Sequence, residues 1–359
     1  MRMLITTGGT GGHIYPAIAL ADGAKARDPK CEILFVGNDD RMEAVEIPKH
    51  GYAFEGIHAS GLSGGLINKA KALLRTARCY QQAKKIIRRF HPDIVVGFGG
   101  YVSAPVMLAA HSCHVKTMIH EQNSIVGVAN KAVAKKVDAI VICYEKCLEV
   151  FDSEKTRLLG NPRASMVQKI DHDKTRPYLQ ELGLNDKKPI LLVVMGSLGS
   201  TSVNDLMKQA LPEVNPQYQI VFVSGRNNYE EMKNSFSQTN ITVVDYVDQL
   251  QLMDAVSLMI CRAGASTLAE MTAMGIPGIL IPSPYVAHNH QFYNAGVLVD
   301  AKAAMMIEET KLDGKTLNKA IEKIMSDPIR RQSMRAASLN LGFPHACEDM
   351  LDWIEELLK

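Results

Sequence analysis

Four glycines crowd around a threonine in Thr6-Thr7-Gly8-Gly9-Thr10-Gly11-Gly12-His13, where the apolar run Met3–Thr7 gives way to a periodic apolar stretch. A strand-to-helix turn built of glycine lets a ligand come against bare backbone, and the N–H groups of a helix start favour an anion there. The turn is not a P-loop, because no Lys-Ser/Thr follows the glycines. Nor is it a dinucleotide fingerprint, since Gly9-Thr10-Gly11 would need a third glycine where Ile14 stands. His13 closes the turn. An imidazole with an ordinary pKa of about 6.5 suits proton removal at neutral pH. The other readings of His13 are binding of an acceptor pyrophosphate and fixing of the loop. Glu121, in His120-Glu121-Gln122-Asn123, is the competing base. A glutamate that opens a loop serves equally as a cap or an ion-pair partner.

Two more stretches carry chemistry. Gly196-Ser197-Leu198-Gly199 follows the apolar run Ile190–Val194 and repeats the strand-then-glycine opening of the chain. Gly264-Ala265-Ser266-Thr267 starts a helical pattern whose first N–H groups suit a phosphate. Glu270 lies about one turn deeper. It can accept both hydrogen bonds of a ribose diol, or it can simply complement the helix dipole. Asp171-His172-Asp173 is the only DxD, and it sits in a polar stretch and follows no apolar strand. No metal site is expected there, and His111 and His114 read as incidental. No cofactor is implied.

The elements that must position these residues alternate. Short apolar runs (Met3–Thr7, Glu32–Val36, Asp93–Gly97, Lys116–His120, Asp138–Cys143, a weak Arg157–Leu159, then Ile190–Val194, Gln219–Val223, Ile241–Val244, Ser257–Cys261 and Gly278–Ile281) are separated by helical patterns. Such alternation argues for parallel sheets covered on both faces. Gly160-Asn161-Pro162 and the polar Gln168–Pro177 divide the chain. The expected fold class is α/β, two Rossmann-like doubly wound domains facing across a cleft. Residues 1–162 form the first domain, joined by a returning C-terminal helix in 343–359, and 163–342 form the second.

At 359 residues the chain has room for both. Its formal charge of +2 excludes a general polyanion binder, so basic surface must be local. The seven cysteines include no CxxC pair and read as reduced thiols. Met1-Arg2 runs straight into a strand, with no signal peptide, and no apolar run is long enough to span a bilayer. A cytoplasmic protein is expected.

Nine stretches in order, "GGTGGHIYPA", "GNDDRMEAVEIPKHG", "SGLSGG", "GFGGYVSAP", "HEQNSIVGVANK", "GNPRA", "MGSLGS", "CRAGASTLAE" and "HNHQFYNA", resemble the MurG family of bacterial cell-wall synthesis along the whole chain. The resemblance implies a GT-B fold and inverting transfer of GlcNAc from UDP-GlcNAc to undecaprenyl-pyrophosphoryl-MurNAc-pentapeptide (lipid I), forming lipid II. It implies peripheral attachment at the cytoplasmic face of the cell membrane, and other cell-wall synthesis proteins as partners. Carried onto this chain, Thr10, Gly11 and Gly12 contact the donor sugar and Asn123 bonds its hydroxyls. Ser197 and the backbone of Ala265, Ser266, Thr267 and Leu268, with Ala269 beside them, hold the diphosphate. Glu270 takes the ribose, Val247 offers its backbone to the uracil, and Gln291 reaches the GlcNAc hydroxyls. Arg163 has a phosphate or sugar role, although some relatives carry arginine where this chain has Ala164. Some relatives have Gln-Gln where this chain has His290-Gln291, so Gln291 alone transfers.

Between Glu55 and Asp93 there is no acidic residue, while Lys69, Lys71, Arg75, Arg78, Lys84, Lys85, Arg88 and Arg89 fall on one helical stretch. Ile67, Ala70, Leu74, Ala77, Tyr80, Ile87 and Phe90 recur near helical period and form a core-facing stripe. The basic flank 69–89 is expected to meet anionic lipid headgroups, with Leu62 and Leu66 dipping into the interface. Nucleic acid fits poorly, because the patch has few aromatics and no accompanying motif. The rivals are another sugar-nucleotide enzyme of this architecture (a glycolipid synthase or a UDP-GlcNAc epimerase) and an inactive nucleotide sensor or membrane scaffold. The first should lack "GGYVS" and "HEQN"; the second would tolerate loss of His13, Glu121 or Gln291.

Overall fold

The computed structural model describes residues 1–58, 66–195 and 201–359, with the side chains of 66–74 and 201–202 left out. Leu62, Ser197 and the 196–199 turn therefore lie outside the described residues. The chain divides into two compact units, Met1–Ser165 with His345–Lys359, and Met166–Pro344.

In the first unit, β1 (Arg2–Thr6), β2 (Glu32–Gly37), β3 (Ala53–Gly56), β4 (Ile94–Gly97), β5 (Lys116–Glu121), β6 (Ala139–Ile142) and β7 (Thr156–Leu158) form a parallel sheet. The strand order is β3-β2-β1-β4-β5-β6-β7. Its helices are α1 (Gly11–Arg27), α2 (Glu43–Lys49), α3 (Leu66–Phe90), α4 (Ser103–Ser112) and α5 (Val128–Val133). A parallel sheet buried on both faces needs strands that are apolar throughout, as Met3-Leu4-Ile5 is. The pleat then sorts them. Met3, Ile5, Phe35, Val96 and Met118 pack with α1 and the C-terminal helix, whereas Leu4, Leu34, Val95 and Ile119 pack with residues of α3 and α4. At Gly23 of α1 an added Cβ would strike the Cys347 sulfur, so the returning helix seats directly on α1.

In the second unit, β8 (Ile190–Val194), β9 (Gln219–Val223), β10 (Ile241–Val244), β11 (Val256–Cys261), β12 (Gly278–Leu280) and β13 (Ala304–Met306) form a parallel sheet ordered β10-β9-β8-β11-β12-β13. The helices are α6 (His172–Glu181), α7 (Thr201–Ala210), α8 (Tyr229–Lys233), α9 (Gln249–Met253), α10 (Ala265–Ala273), α11 (His290–Asp300), α12 (Gly314–Met325) and α13 (Pro328–Leu339); α14 (Ala346–Leu358) returns to the first unit. Leu191, Val193, Phe222, Ile260, Leu317 and Ile321 belong to its main core.

In both sheets the order of strand addition reverses, between β1 and β4 and between β8 and β11. In doubly wound sheets ligands bind outside the carboxyl ends of strands at such a switch point. The turn after β1 and the turn after β11 occupy such positions.

Two edge strands, β3 and β13, escape the reading of apolar runs. Each pairs on one side only and carries partly exposed residues, so neither needs a continuous apolar sequence. The stripe on α3 also differs from its expected line. Ala77 is exposed, and among the described side chains of α3 the buried ones are Cys79, Ala83, Ile86 and Ile87, with Tyr80 and Phe90 half-buried; the side chains of Leu66, Ile67, Lys69, Ala70, Lys71 and Leu74 lie outside the described residues. Arg75, Arg78, Lys85, Arg88 and Arg89 are exposed, Arg89 paired with Glu55.

Candidate functional site

Thr6 of β1 and Gly97 of β4 are register neighbours, and the chain beyond them builds the first half of the site. Thr10 stands at the N-cap of α1 in extended conformation (φ −142°, ψ 157°), but its side chain does not cap the helix. Its hydroxyl lies 3.2 Å from His13 Nδ1 instead. The first-turn N–H groups of α1 are thus not met by a side-chain cap, as an anion or a sugar hydroxyl requires. After β4, Gly99 (φ +96°) and Gly100 (φ +87°) take left-handed conformations that favour glycine. A Cβ on Gly99 would come within 2.8 Å of His13 Cδ2 and 2.9 Å of its Nε2, so the imidazole lies against that turn.

From the far side a carboxylate supports the loop. Glu43 of α2 is fully buried and accepts the N–H of Gly9 at 3.1 Å and of Asn38 at 3.0 Å.

At the end of β5, His120 is fully buried, with Nε2 3.1 Å from the Gly160 carbonyl and its ring 5.1 Å from that of Phe98. The carbonyl can only accept, so Nε2 carries the proton and Nδ1 is an acceptor. Burial holds the His120 pKa down to about 4, and nearby His13 adds to that, so the ring is neutral at neutral pH. Glu121 is almost wholly buried and well satisfied. Its Oε1 accepts the Asn123 N–H (3.1 Å), and its Oε2 accepts the Gly127 N–H (2.8 Å) and the Asn130 amide (2.9 Å). Burial nevertheless pushes its pKa up, against those donors. Its bonds shape the turn that carries Asn123. The Asn123 carbonyl in turn accepts the Cys147 thiol. Arg163 ends the half-site, its N–H donating to Asn161 Oδ1 at 3.0 Å.

Several buried polar atoms here lack a partner among the described residues: Thr6 Oγ1, Thr7 Oγ1, His120 Nδ1, Gln122 Oε1, Asn130 Oδ1 and Asn161 Nδ2. Buried polar groups are seldom left so.

In the second unit the chain leaves β11 through Arg262-Ala263-Gly264 into α10. Gly264 is the N-cap, without a side-chain cap, and the Ser266 hydroxyl is buried with no partner among the described residues. The first turn Ala265, Ser266, Thr267 and Leu268, followed by Ala269, is therefore open to an anion. Behind it Arg262 pairs with Glu309 at 2.7 Å. Glu270 is buried, one oxygen taking the Gln249 amide at 3.2 Å. Gln249 follows Val247-Asp248, whose placement is set by α6: the Asp248 N–H donates to the Tyr178 hydroxyl at 2.8 Å. Thr175 of the same helix donates to Asp254 and accepts from Gln251, both at 2.6 Å. Gln291 accepts the Ser283 N–H through Oε1 at 2.9 Å, which leaves its amide nitrogen to donate. Just before it, His288 (φ 54°) and Asn289 (φ 51°) are both left-handed without being glycine. Backbone strain of this kind concentrates at ligand clamps.

In Asp171-His172-Asp173, Asp171 caps α6 and His172 pairs with Asp254. The described residues that bring three metal-ligating side chains together are Asp39, Asp40 and His58, all exposed. Sequence reasoning assigned no role to Glu43, Asn130, Gln249 or Tyr178. Glu43 and Asn130 stand inside stretches singled out for their pattern, but an acid or amide in a helix reads as surface until its neighbours are known.

Known families and relatives match the chain along its length. The N-terminal domain of glycosyltransferase family 28 matches residues 3–142 and its C-terminal domain residues 190–350. The UDP-N-acetylglucosamine–N-acetylmuramyl-(pentapeptide) pyrophosphoryl-undecaprenol N-acetylglucosamine transferase of Lactiplantibacillus plantarum is 39% identical, and that of Listeria monocytogenes 38%, each over 100% of both chains. The crystal structure of Acinetobacter baumannii MurG shares the fold, with a TM-score of 0.80 at 23% identity and 99% of each chain covered. The chain is thus a glycosyltransferase, and it belongs to the MurG family of UDP-N-acetylglucosamine–N-acetylmuramyl-(pentapeptide) pyrophosphoryl-undecaprenol N-acetylglucosamine transferases.

Proposed function

We propose that this chain moves GlcNAc from UDP-GlcNAc to the C4 hydroxyl of MurNAc in lipid I, with inversion, to give lipid II. The observation that carries the reading is the 39% identity to a curated transferase over the whole of both chains. The second unit takes the nucleotide: the α10 N-terminus receives the diphosphate, Glu270 the ribose diol, the Val247 backbone the uracil and Gln291 the sugar hydroxyls. The first unit takes the acceptor; in it Thr10, Gly11 and Gly12 meet the donor sugar, Asn123 bonds that sugar's hydroxyls, and Arg163 serves a phosphate or sugar.

His13 is the base of this mechanism. Its hydroxyl partner Thr10 donates to Nδ1 in one tautomer and accepts from it in the other, so the ring is oriented in either. The base takes the proton of the MurNAc C4 hydroxyl as that oxygen bonds to the anomeric carbon. The bond from that carbon to UDP breaks, and the leaving diphosphate keeps its electron pair against the α10 dipole. Glu121, whose oxygens already hold Asn123, Gly127 and Asn130, keeps the acceptor loop in shape.

The acceptor is a lipid, and no helix among the described residues is long and apolar enough to cross a membrane. The enzyme sits peripherally at the cytoplasmic face, its α3 basic face toward anionic headgroups, within reach of other cell-wall synthesis proteins.

The test is UDP release from UDP-GlcNAc with a short-chain lipid I analogue in EDTA. The wild type releases UDP only with acceptor, and His13→Ala loses about 10²–10⁴-fold in kcat while still binding UDP. Release without acceptor, or none from folded protein that binds UDP-GlcNAc, turns the assignment toward the epimerase or the inactive sensor.

A further inference from the structure

A glycine-rich loop has more conformational freedom than any other backbone, so something must order it before substrates arrive. In the β1–α1 loop that task falls on a side chain outside it. Glu43 has no exposed surface, and its carboxylate accepts three hydrogen bonds: the Gly9 N–H (3.1 Å), the Asn38 N–H (3.0 Å) and the Asn38 side-chain amide (3.2 Å). Burying a carboxylate is costly unless donors of this kind meet it.

The surrounding chain is cut to admit it. A Cβ on Gly8 would strike Glu43 Oε1, and one on Gly37 would lie 2.7 Å from Glu43 Cγ and 2.9 Å from the Thr7 carbonyl. On the opposite side a Cβ on Gly100 would run into the Gly8 carbonyl, while Gly99 abuts His13. Gly8 and Gly9 are thus held between the Glu43 carboxylate and the Gly99–Gly100 turn. The Gly9 N–H is spent on Glu43, which fixes the Gly8–Gly9 peptide just ahead of Thr10 and the start of α1.

We propose that Glu43 is a positioning residue of the transferase: it holds the β1–α1 loop in its binding shape, so that Thr10, Gly11, Gly12 and His13 meet the reacting substrates already ordered. The proposal rests on the transferase reading above.

Glu43→Gln separates the loop from the rest of the cluster. The amide oxygen still takes both Asn38 donors, but the amide nitrogen then faces the Gly9 N–H, donor against donor. The expected result is a fall in kcat/KM for the lipid I analogue of at least about tenfold. The Kd for UDP, which the second unit holds, stays within about twofold of wild type, and Gly9 amide exchange speeds up by at least about tenfold. Asn38→Ala removes one donor and leaves the Gly9 contact, and its kcat/KM stays within about threefold. Equal losses in the two variants, or wild-type kcat/KM in Glu43→Gln, overturn the proposal. If Glu43→Gln does not fold, the wild type decides alone: slow Gly9 exchange supports the clamp and exchange at the rate of an exposed loop contradicts it. A wild type without acceptor-dependent UDP release would sink the transferase reading and leave the exchange result standing.

Discussion

His120 and Glu121 are neighbours at the end of β5, and burial moves both pKa values, in directions that disfavour charge. The unfolded chain protonates His120 at about 6.5, whereas the folded chain resists until about 4. Its contribution to stability is therefore intact above pH 6.5 and drains away as the pH falls toward 4, by up to about 3 kcal/mol. Glu121 acts oppositely. Its raised pKa means that acidification favours the folded state until the unfolded carboxyl also protonates. Urea unfolding across pH 4–7 should show a flatter profile for His120→Gln, which keeps a donor for the Gly160 carbonyl, than for wild type. Matching profiles would contradict a buried neutral His120. His13, Glu121 and Glu270 were legible as chemistry-bearing types behind turn signals, whereas Asn123 and Gln291 entered only through the family resemblance. Glu43 was not legible, because a buried acid in a short helix looks like any surface charge.

The turns do more than allow close approach; two of their glycines differ in why they are glycine. Gly9 has φ +93° with nothing near its missing Cβ, whereas Gly100 has φ +87° and would drive a Cβ into the Gly8 backbone. Gly9→Ala should cost about 1–2 kcal/mol of strain alone. Gly100→Ala adds a backbone clash of about 1–3 kcal/mol. Chemical denaturation of both variants checks this, and equal losses would mean that the Gly100 turn does not abut the first loop. The alternation of strands and helices was readable because parallel strands buried on both faces must be apolar throughout. The exceptions follow the same physics: β3 and β13 lie at edges, pair on one side and need no apolar run. Ala77 shows another limit, since a small residue at helical spacing fits either face of α3.

Over the whole molecule, one strand order recurs in both sheets and puts a glycine-bearing turn at each switch point. Composition and charge excluded classes of protein, but the substrates came from the pattern of nine motifs and from full-length relatives, because helix starts and carboxylates of this kind suit many sugar nucleotides. The acceptor being a lipid, the exposed Arg78, Lys85 and Arg88 of α3 are expected to hold the protein at anionic membrane, each by about 1 kcal/mol. Replacing all three with alanine should weaken binding to anionic vesicles by about 100-fold. Activity on a soluble acceptor should be unchanged; vesicle binding at the wild-type level would move the membrane face elsewhere. The decisive measurement is mass spectrometry and NMR of the lipid recovered after incubating wild-type protein with UDP-GlcNAc and lipid I analogue. The expected product is heavier by one GlcNAc residue, β-linked to the C4 oxygen of MurNAc. Unchanged lipid beside epimerised or hydrolysed sugar nucleotide would contradict it.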